Sequence, residues 1–382
     1  MIRKLLFCLV TFIATSNAVC AKEHRPEFEA LVHQLMRQHT VPGLAVAHIR
    51  NGKTAYRNTF GYREVETKSP LDENTVMYGA SLTKFMFATY VMQLVEEGKI
   101  DIDLSIAEQL PKPLPDYERF ADLDGDARWK QLTLRMLLAH LTGFPNYRFF
   151  PPNSDFDPDA KLAFVFDPGF RYGYSGEGYY MAQLVVEETL GLDTRQEFYK
   201  RFFNRLDMER TDLVWQDRFR PNFAQGYTAD GANEGHNMQS NARAAGSMDT
   251  TLADYAKWVE AYIRGDLMNP ATRKDQLNAV MPITSRHQFP PWDPTPGTAH
   301  ETAGLGAGVG IKVFSGPMGR GFFHGGHNEK TDNLLVCVTD RQECAVFLMN
   351  TAKGHLLFPE LVEALIGDTG LPWSWQFSGL VD

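Results

Sequence analysis

The stretch from Ser81 to Glu97 constrains this chain more than any other. Phe85, Met86, Phe87, Tyr90, Val91, Leu94 and Val95 follow so closely that a helix built from them is apolar nearly all round. A helix of that kind belongs in the middle of a protein, because it has no polar face to turn to water. Gly98 follows it and suits a left-handed C-terminal cap. At 382 residues and 43% hydrophobic, the chain can surround such a helix within one large domain or two closely packed ones.

The flanking segments predict what the surround is made of. Phe28, Leu31, Val32, Leu35 and Met36 recur at helical spacing up to His39. Two strand-like runs, 44–50 and 53–60, are joined by Asn51-Gly52, a strong hairpin signal. Helical patterns then accumulate at 133–140, 177–190 (closed by Gly191), 196–205 and 251–263, the last opened by Thr251 and Asp254 as a capping pair. Proline and glycine crowd 282–310, which reads as a long surface loop. Strands are expected at 311–315, 321–324, 333–338 and 344–349, and a final helix at 358–366. Strands at both ends and helices between them predict an α/β (α+β) architecture. Its antiparallel sheet is built from both termini and flanked by helices, with a mainly helical region inserted. The expected boundaries are 22–80 with 241–382 for the sheet region and 81–240 for the helical one.

The buried helix begins with a pair that can do chemistry. Ser81 and Lys84 are three residues apart, so their side chains meet on one face. The helix N-terminus adds free N–H groups and a positive field suited to an oxyanion. A lysine stripped of water has its basic, neutral form within reach near neutral pH, as a nucleophile's base requires. The plainer reading is a capping serine beside a solvated lysine. The apolar surroundings of the helix argue against it, and this is the one Ser-x-x-Lys in the chain.

With Ser81-Leu82-Thr83-Lys84 as a first motif, the sequence resembles the serine β-lactamase and penicillin-binding-protein superfamily. The closest branch is that of class C β-lactamases, D-aminopeptidases and β-lactamase-fold esterases. His140-Leu141-Thr142-Gly143 resembles a turn of that family. Pro168 to Gly176 resembles its Tyr-x-Asn region, with Tyr174 on the tyrosine and Gly176 on the asparagine. Gly246 to Asp254 resembles the entry to a late helix, and His324-Gly325-Gly326 falls where the family has Lys-Thr-Gly or His-x-Gly. The resemblance runs from Phe28 to the last helix. It implies a β-lactamase/transpeptidase-like fold with the site between its two regions. Ser81 would be the nucleophile, with Lys84 and Tyr174 moving its proton. The backbone N–H groups of Ser81 and His327 would hold the oxyanion, and His324, Gly325, Gly326 and Gly176 would contact the substrate. No cofactor or metal is implied. The reaction would be acyl-enzyme hydrolysis of esters, amides or β-lactams; the alternative is a cell-wall D-peptide carboxypeptidase or aminopeptidase, or a β-lactamase proper. A penicillin or peptidoglycan-peptide sensor without turnover is the reading of another class.

Other features narrow the setting. Arg3, Lys4, an apolar run from Leu5 to Ala14, and Val19 and Ala21 before a cut predict a signal peptide over 1–21, hence a periplasmic or secreted protein. The alternatives are a retained anchor, for which the run is short, and lipidation of Cys20, for which Val19 is bulky. Loss of Arg3 and Lys4 takes the net charge from −9 to −11. An acidic chain without basic clusters is a poor partner for nucleic acid or anionic lipid and fits a small-molecule or peptide substrate. Cleavage also leaves only Cys337 and Cys344. A two-residue turn at Asp340-Arg341 would oppose them across a hairpin and allow a disulfide. His324 and His327 as metal ligands lack an accompanying HExxH pattern, and no Gly-x-Ser-x-Gly elbow occurs at Ser175. Because His324 and Gly176 stand where the family's β-lactamases have lysine and asparagine, the resemblance implies weaker hold on β-lactams than on small esters or uncharged amides.

Overall fold

Asn51 and Gly52 both take left-handed backbone, with φ of 52° and 68°, and turn strand β1 (Gly43–Arg50) back into β2 (Lys53–Glu64). The computed structural model describes residues 25–152, 155–378 and 380, so the expected signal peptide with Cys8 and Cys20 lies outside the described residues. Ahead of the hairpin, helix α1 (Pro26–His39) buries Phe28, Val32, Leu35 and Met36, the face set by their spacing. Two short strands follow, β3 (Ser69–Pro70) and β4 (Met77–Tyr78), and then helix α2 (Leu82–Glu96). The chain returns to strands at β5 (Asp249–Thr250), β6 (Met281–Pro282), β7 (Gly306–Ala307) and β8 (Lys312–Gly316). It ends through β9 (Gly319–Asn328), β10 (Thr331–Val338) and β11 (Glu343–Met349).

Nine of these strands form one antiparallel sheet in the order β3-β2-β1-β11-β10-β9-β8-β7-β6. The two ends of the chain meet at β1 and β11, paired from Leu44↔Met349 to Ile49↔Cys344. This is the terminus-built sheet that the strand pattern predicts. Every residue of α2 from Leu82 to Leu94 is buried. Phe85 meets Phe322 of β9, Trp258 and Tyr262 at ring separations of 5.3, 5.0 and 4.7 Å, while Phe87 meets Tyr179 at 6.2 Å on the helical side. Each large apolar side chain so placed contributes roughly 1.5–3 kcal/mol over leaving it in water. The helix is thus clamped between the sheet and the helical segments.

Several expectations need correction. The helix expected over 196–205 is α-helical only from Thr194 to Phe198 and continues as a π turn, Tyr199–Phe203. The wider turn lets Phe198, Phe202 and Phe203 all face the core. The one expected over 133–140 stops at Leu138, because His140 takes left-handed φ of 60°. The stretch 282–310 is more than a surface loop. It carries β7 and a short helix at Ala299–Thr302, buries Ile283, Leu305 and Val309, and walls a cavity described below.

Cys337 and Cys344 oppose each other in β10 and β11 and are bridged, with Cα atoms 4.1 Å apart. The turn between them differs from the expected two-residue form: a 3-10 turn over Thr339–Arg341 is closed by Gln342 in left-handed conformation. The register holds because Val338 still faces Glu343. Unfolding the oxidised protein without reductant in the presence of iodoacetamide should leave both cysteines unlabelled by mass spectrometry; labelling of both would show that the bridge is not formed.

Candidate active site

Ser81 enters α2 from a constrained turn. Gly79 N–H donates to Met248 O at 2.8 Å, and Ala80 holds a left-handed φ of 46°, a conformation that costs a non-glycine residue about 1 kcal/mol or more. The Ser81 hydroxyl makes no capping bond to its helix, which removes the plain capping role. Instead it lies 2.9 Å from Lys84 Nζ. Lys84 is wholly buried and also donates to Ala245 O. Burial, reinforced by the nearby charge of Lys312, pulls its pKa down to about 7. Among the described residues the Ser81 N–H has no acceptor.

Tyr174 completes the group. Its ring centre is 5.1 Å from Lys84 Nζ, and it stacks on the His140 ring at 4.3 Å. His140 is fixed by accepting the Ser175 N–H at Nδ1, 3.0 Å. Burial pushes the Tyr174 phenol up, against a smaller opposite pull from its bond with Ser81. The phenol therefore stays protonated. Ser175 is occupied elsewhere: its Oγ accepts from Gly178 N–H at 3.1 Å and donates to Pro145 O at 2.9 Å. It caps the helix Gly176–Leu190.

Gly325 and Gly326 bring β9 alongside. A Cβ at Gly326 would sit 2.4 Å from Gly79 O and 3.2 Å from Leu82 N, so glycine is what allows the strand to lie against the nucleophile's turn. Gly325 and the half-exposed His327 line a cavity of about 600 Å³ together with Ser81 and Tyr174. The other three expected contacts, Gly326, His324 and Gly176, do not line it. His324 is 1% exposed, with Nδ1 2.7 Å from Gly325 O. Burial and the charges of Lys312 and Lys84 hold it neutral, well below the usual histidine range. Its separation of three from His327 on a strand puts the two on opposite faces, wrong for sharing an ion. Gly176 is covered by Asn146, whose backbone O and Oδ1 accept its N–H at 2.9 and 3.0 Å.

Three lining groups escaped the sequence reading. Asn146 lines the cavity and, with Oδ1 committed to Gly176, leaves its Nδ2 donors without a partner among the described residues. Lys312 on β8 lines it too, in register with Phe323, one position from His324. The loop Gln288–Trp292 forms an aromatic wall with Phe289 and Trp292, pinned by Arg171, which donates to Pro291 O at 3.1 Å and Trp292 O at 2.8 Å. Replacing Gly326 by alanine should push β9 off the nucleophile's turn. Activity should fall on the order of 10²-fold, as misplacements of about 1 Å do, while circular dichroism stays that of the parent. Unchanged activity would show that the close approach is not needed.

A family model described as Beta-lactamase matches residues 28–364. Among curated relatives, an unguisins hydrolase of Aspergillus violaceofuscus is 25% identical over 64% of this chain and 45% of its own. Penicillin-binding protein 4* of Bacillus subtilis is 22% identical over 67% and 60%. The chain thus spans about half the length of these relatives. Among solved structures, a class C beta-lactamase superposes with a TM-score of 0.69 at 16% identity, over 90% of this chain and 95% of that one. An octameric penicillin-binding protein homologue from Pyrococcus abyssi gives 0.71 at 20% identity, over 91% and 79%. The match of the family model over most of the chain, together with this shared fold, shows that the chain belongs to the beta-lactamase family.

Proposed function

We propose that this chain is an exported serine hydrolase that works through an acyl-enzyme on Ser81. The observation that carries the reading is the 2.9 Å contact between Ser81 Oγ and a fully buried Lys84 amine. At neutral pH a large share of that amine is unprotonated. Ser81 Oγ attacks the substrate carbonyl carbon as its proton passes to Lys84 Nζ. The developing oxyanion takes the backbone N–H groups of Ser81 and His327. Tyr174, protonated throughout the resting state, hands its proton to the leaving group and is reprotonated from the Lys84 ammonium. Water then attacks the acyl carbonyl and gives its proton to the freed amine. Collapse of the second tetrahedral adduct releases Ser81 Oγ, which recovers that proton.

Relatives include a D-aminopeptidase of Gluconobacter oxydans and a beta-lactamase of Providencia stuartii, so esters, amides and β-lactams are the compounds to test. A preference for uncharged substrates requires that the site lack a cation and a side-chain amide. Lys312 and Asn146 bring both groups to the cavity wall from other segments, so that preference no longer follows.

Treatment with a fluorophosphonate should give one adduct, mapping to Ser81, and turnover of a chromogenic ester should exceed one product per protein. Ser81→Ala should lose on the order of 10³-fold or more of that turnover. Its stability should stay within about 1 kcal/mol, since no capping bond is lost. One product per protein would make the chain a sensor; an adduct elsewhere would overturn the mechanism.

The pH dependence follows from the lowered Lys84 pKa. Below it the ammonium has no lone pair to accept the proton, and above it the amine is free. The kcat/KM for a neutral ester should rise through about pH 7 and level off. A profile still climbing at pH 9 would contradict a base of this kind.

A further inference from the structure

Lys312 is a buried charge without a partner. Its side chain is 1% exposed, and no hydrogen bond or ion pair joins it to any described residue. Every other buried charged residue described has one. Glu177 has Arg119 and Arg148, Asp212 has Arg195, and Lys330 has Glu234 O. Lys84 has Ser81 and Ala245. Around Lys312 Nζ there are instead two rings, Phe323 and Tyr174, with centres at 5.2 and 5.6 Å. Ring faces attract a cation by about 0.5–2 kcal/mol, far less than the several kcal/mol that a buried ammonium forfeits in hydration. Burial alone accordingly drags its pKa down to about 7.

Its ammonium form has the most to gain from an anion that reaches it, since no described residue neutralises it, and one route leads to it. Lys312 lines the same cavity as Ser81 and Tyr174. The one acid among the lining residues, Glu329, makes no ion pair with it. Lys84 and Lys312 Nζ lie within 5.1 and 5.6 Å of the Tyr174 ring centre, so an anion on Lys312 sits beside the reacting groups.

We propose that Lys312 is an anion subsite of the catalytic cavity, selecting acyl compounds that carry a carboxylate close to the scissile carbonyl. The substrate supplies the counter-ion that the fold withholds. The inference rests on the acyl-enzyme reading for its consequence in turnover, and on the lysine's geometry alone for its consequence in binding.

The test compares phenyl butyrate with 3-carboxyphenyl butyrate, which differ by one carboxylate. A charged hydrogen bond of about 1.5–3 kcal/mol corresponds to roughly 10–150-fold. The ratio of kcat/KM, charged over neutral, should therefore drop at least about tenfold in Lys312→Met, mainly through KM of the charged ester. Equal loss on both esters, or an unchanged ratio, would overturn the subsite. Binding of 3-hydroxybenzoate, read by calorimetry against 3-hydroxybenzyl alcohol, gives a second measurement that needs no turnover. The wild-type protein should prefer the carboxylate, and Lys312→Met or Lys312→Gln should abolish the preference. No preference in the wild type overturns the proposal even if neither variant folds. Should neither ester turn over while that preference holds, the acyl-enzyme reading fails and the subsite stands.

Discussion

Lys84 is held out of water as one of thirteen consecutive buried residues of its helix, with β9 on one side and the helical segments on the other. An amine in water keeps its proton at neutral pH and has nothing to offer a serine. Moving it into this interior reverses the preference, because the charged form loses most in leaving solvent. The architecture serves that displacement. A sheet closed by pairing β1 with β11 gives α2 a wall on one side, and the aromatic cluster of Phe85, Trp258 and Tyr262 seals another. Burial that would be an ordinary stabilising term for a leucine becomes, at one position, a means of making a base.

Close backbone approach does the rest of the positioning. Gly326 allows β9 against Gly79 and Leu82, and the left-handed Ala80 turns the chain so that the serine starts the helix without capping it. Tyr174 is fixed by its stacking on His140, itself locked by the Ser175 N–H. These groups come from four separate stretches of the sequence. Each is set by a hydrogen bond or a steric limit rather than by the flexibility of a loop.

Much of this was legible in the sequence for a physical reason. Periodicity reports burial, so the all-apolar run predicted a central helix, and Asn51-Gly52 predicted a turn that needs two positive φ values. The Ser81–Lys84 pair gained its meaning from that burial. What escaped came from tertiary placement. Lys312 left one trace: between Ile311 and Val313 it shares a strand face with the buried Phe314, so a lysine there had to be buried or partnered. Nothing in the sequence showed that its face opens on the cavity of Ser81. Asn146 lies in an aperiodic segment, and only its bond to Gly176 reveals which way its amide is turned. His324 sits in the expected motif, yet faces inward as a neutral ring. The 282–310 stretch read as surface from its prolines and glycines, because composition does not show what a loop is pressed against.

Everything in this site turns on Lys84 being a free amine near neutral pH, and its titration can be observed directly. Nitrogen-15 NMR of the lysine side chains, with Lys84 assigned by the signal lost in Lys84→Met, follows that nitrogen from pH 5 to 11. A midpoint of about 7 is expected. A midpoint near the ordinary lysine value of about 10.4 would mean that burial has not freed the base, and the mechanism built on it would fall.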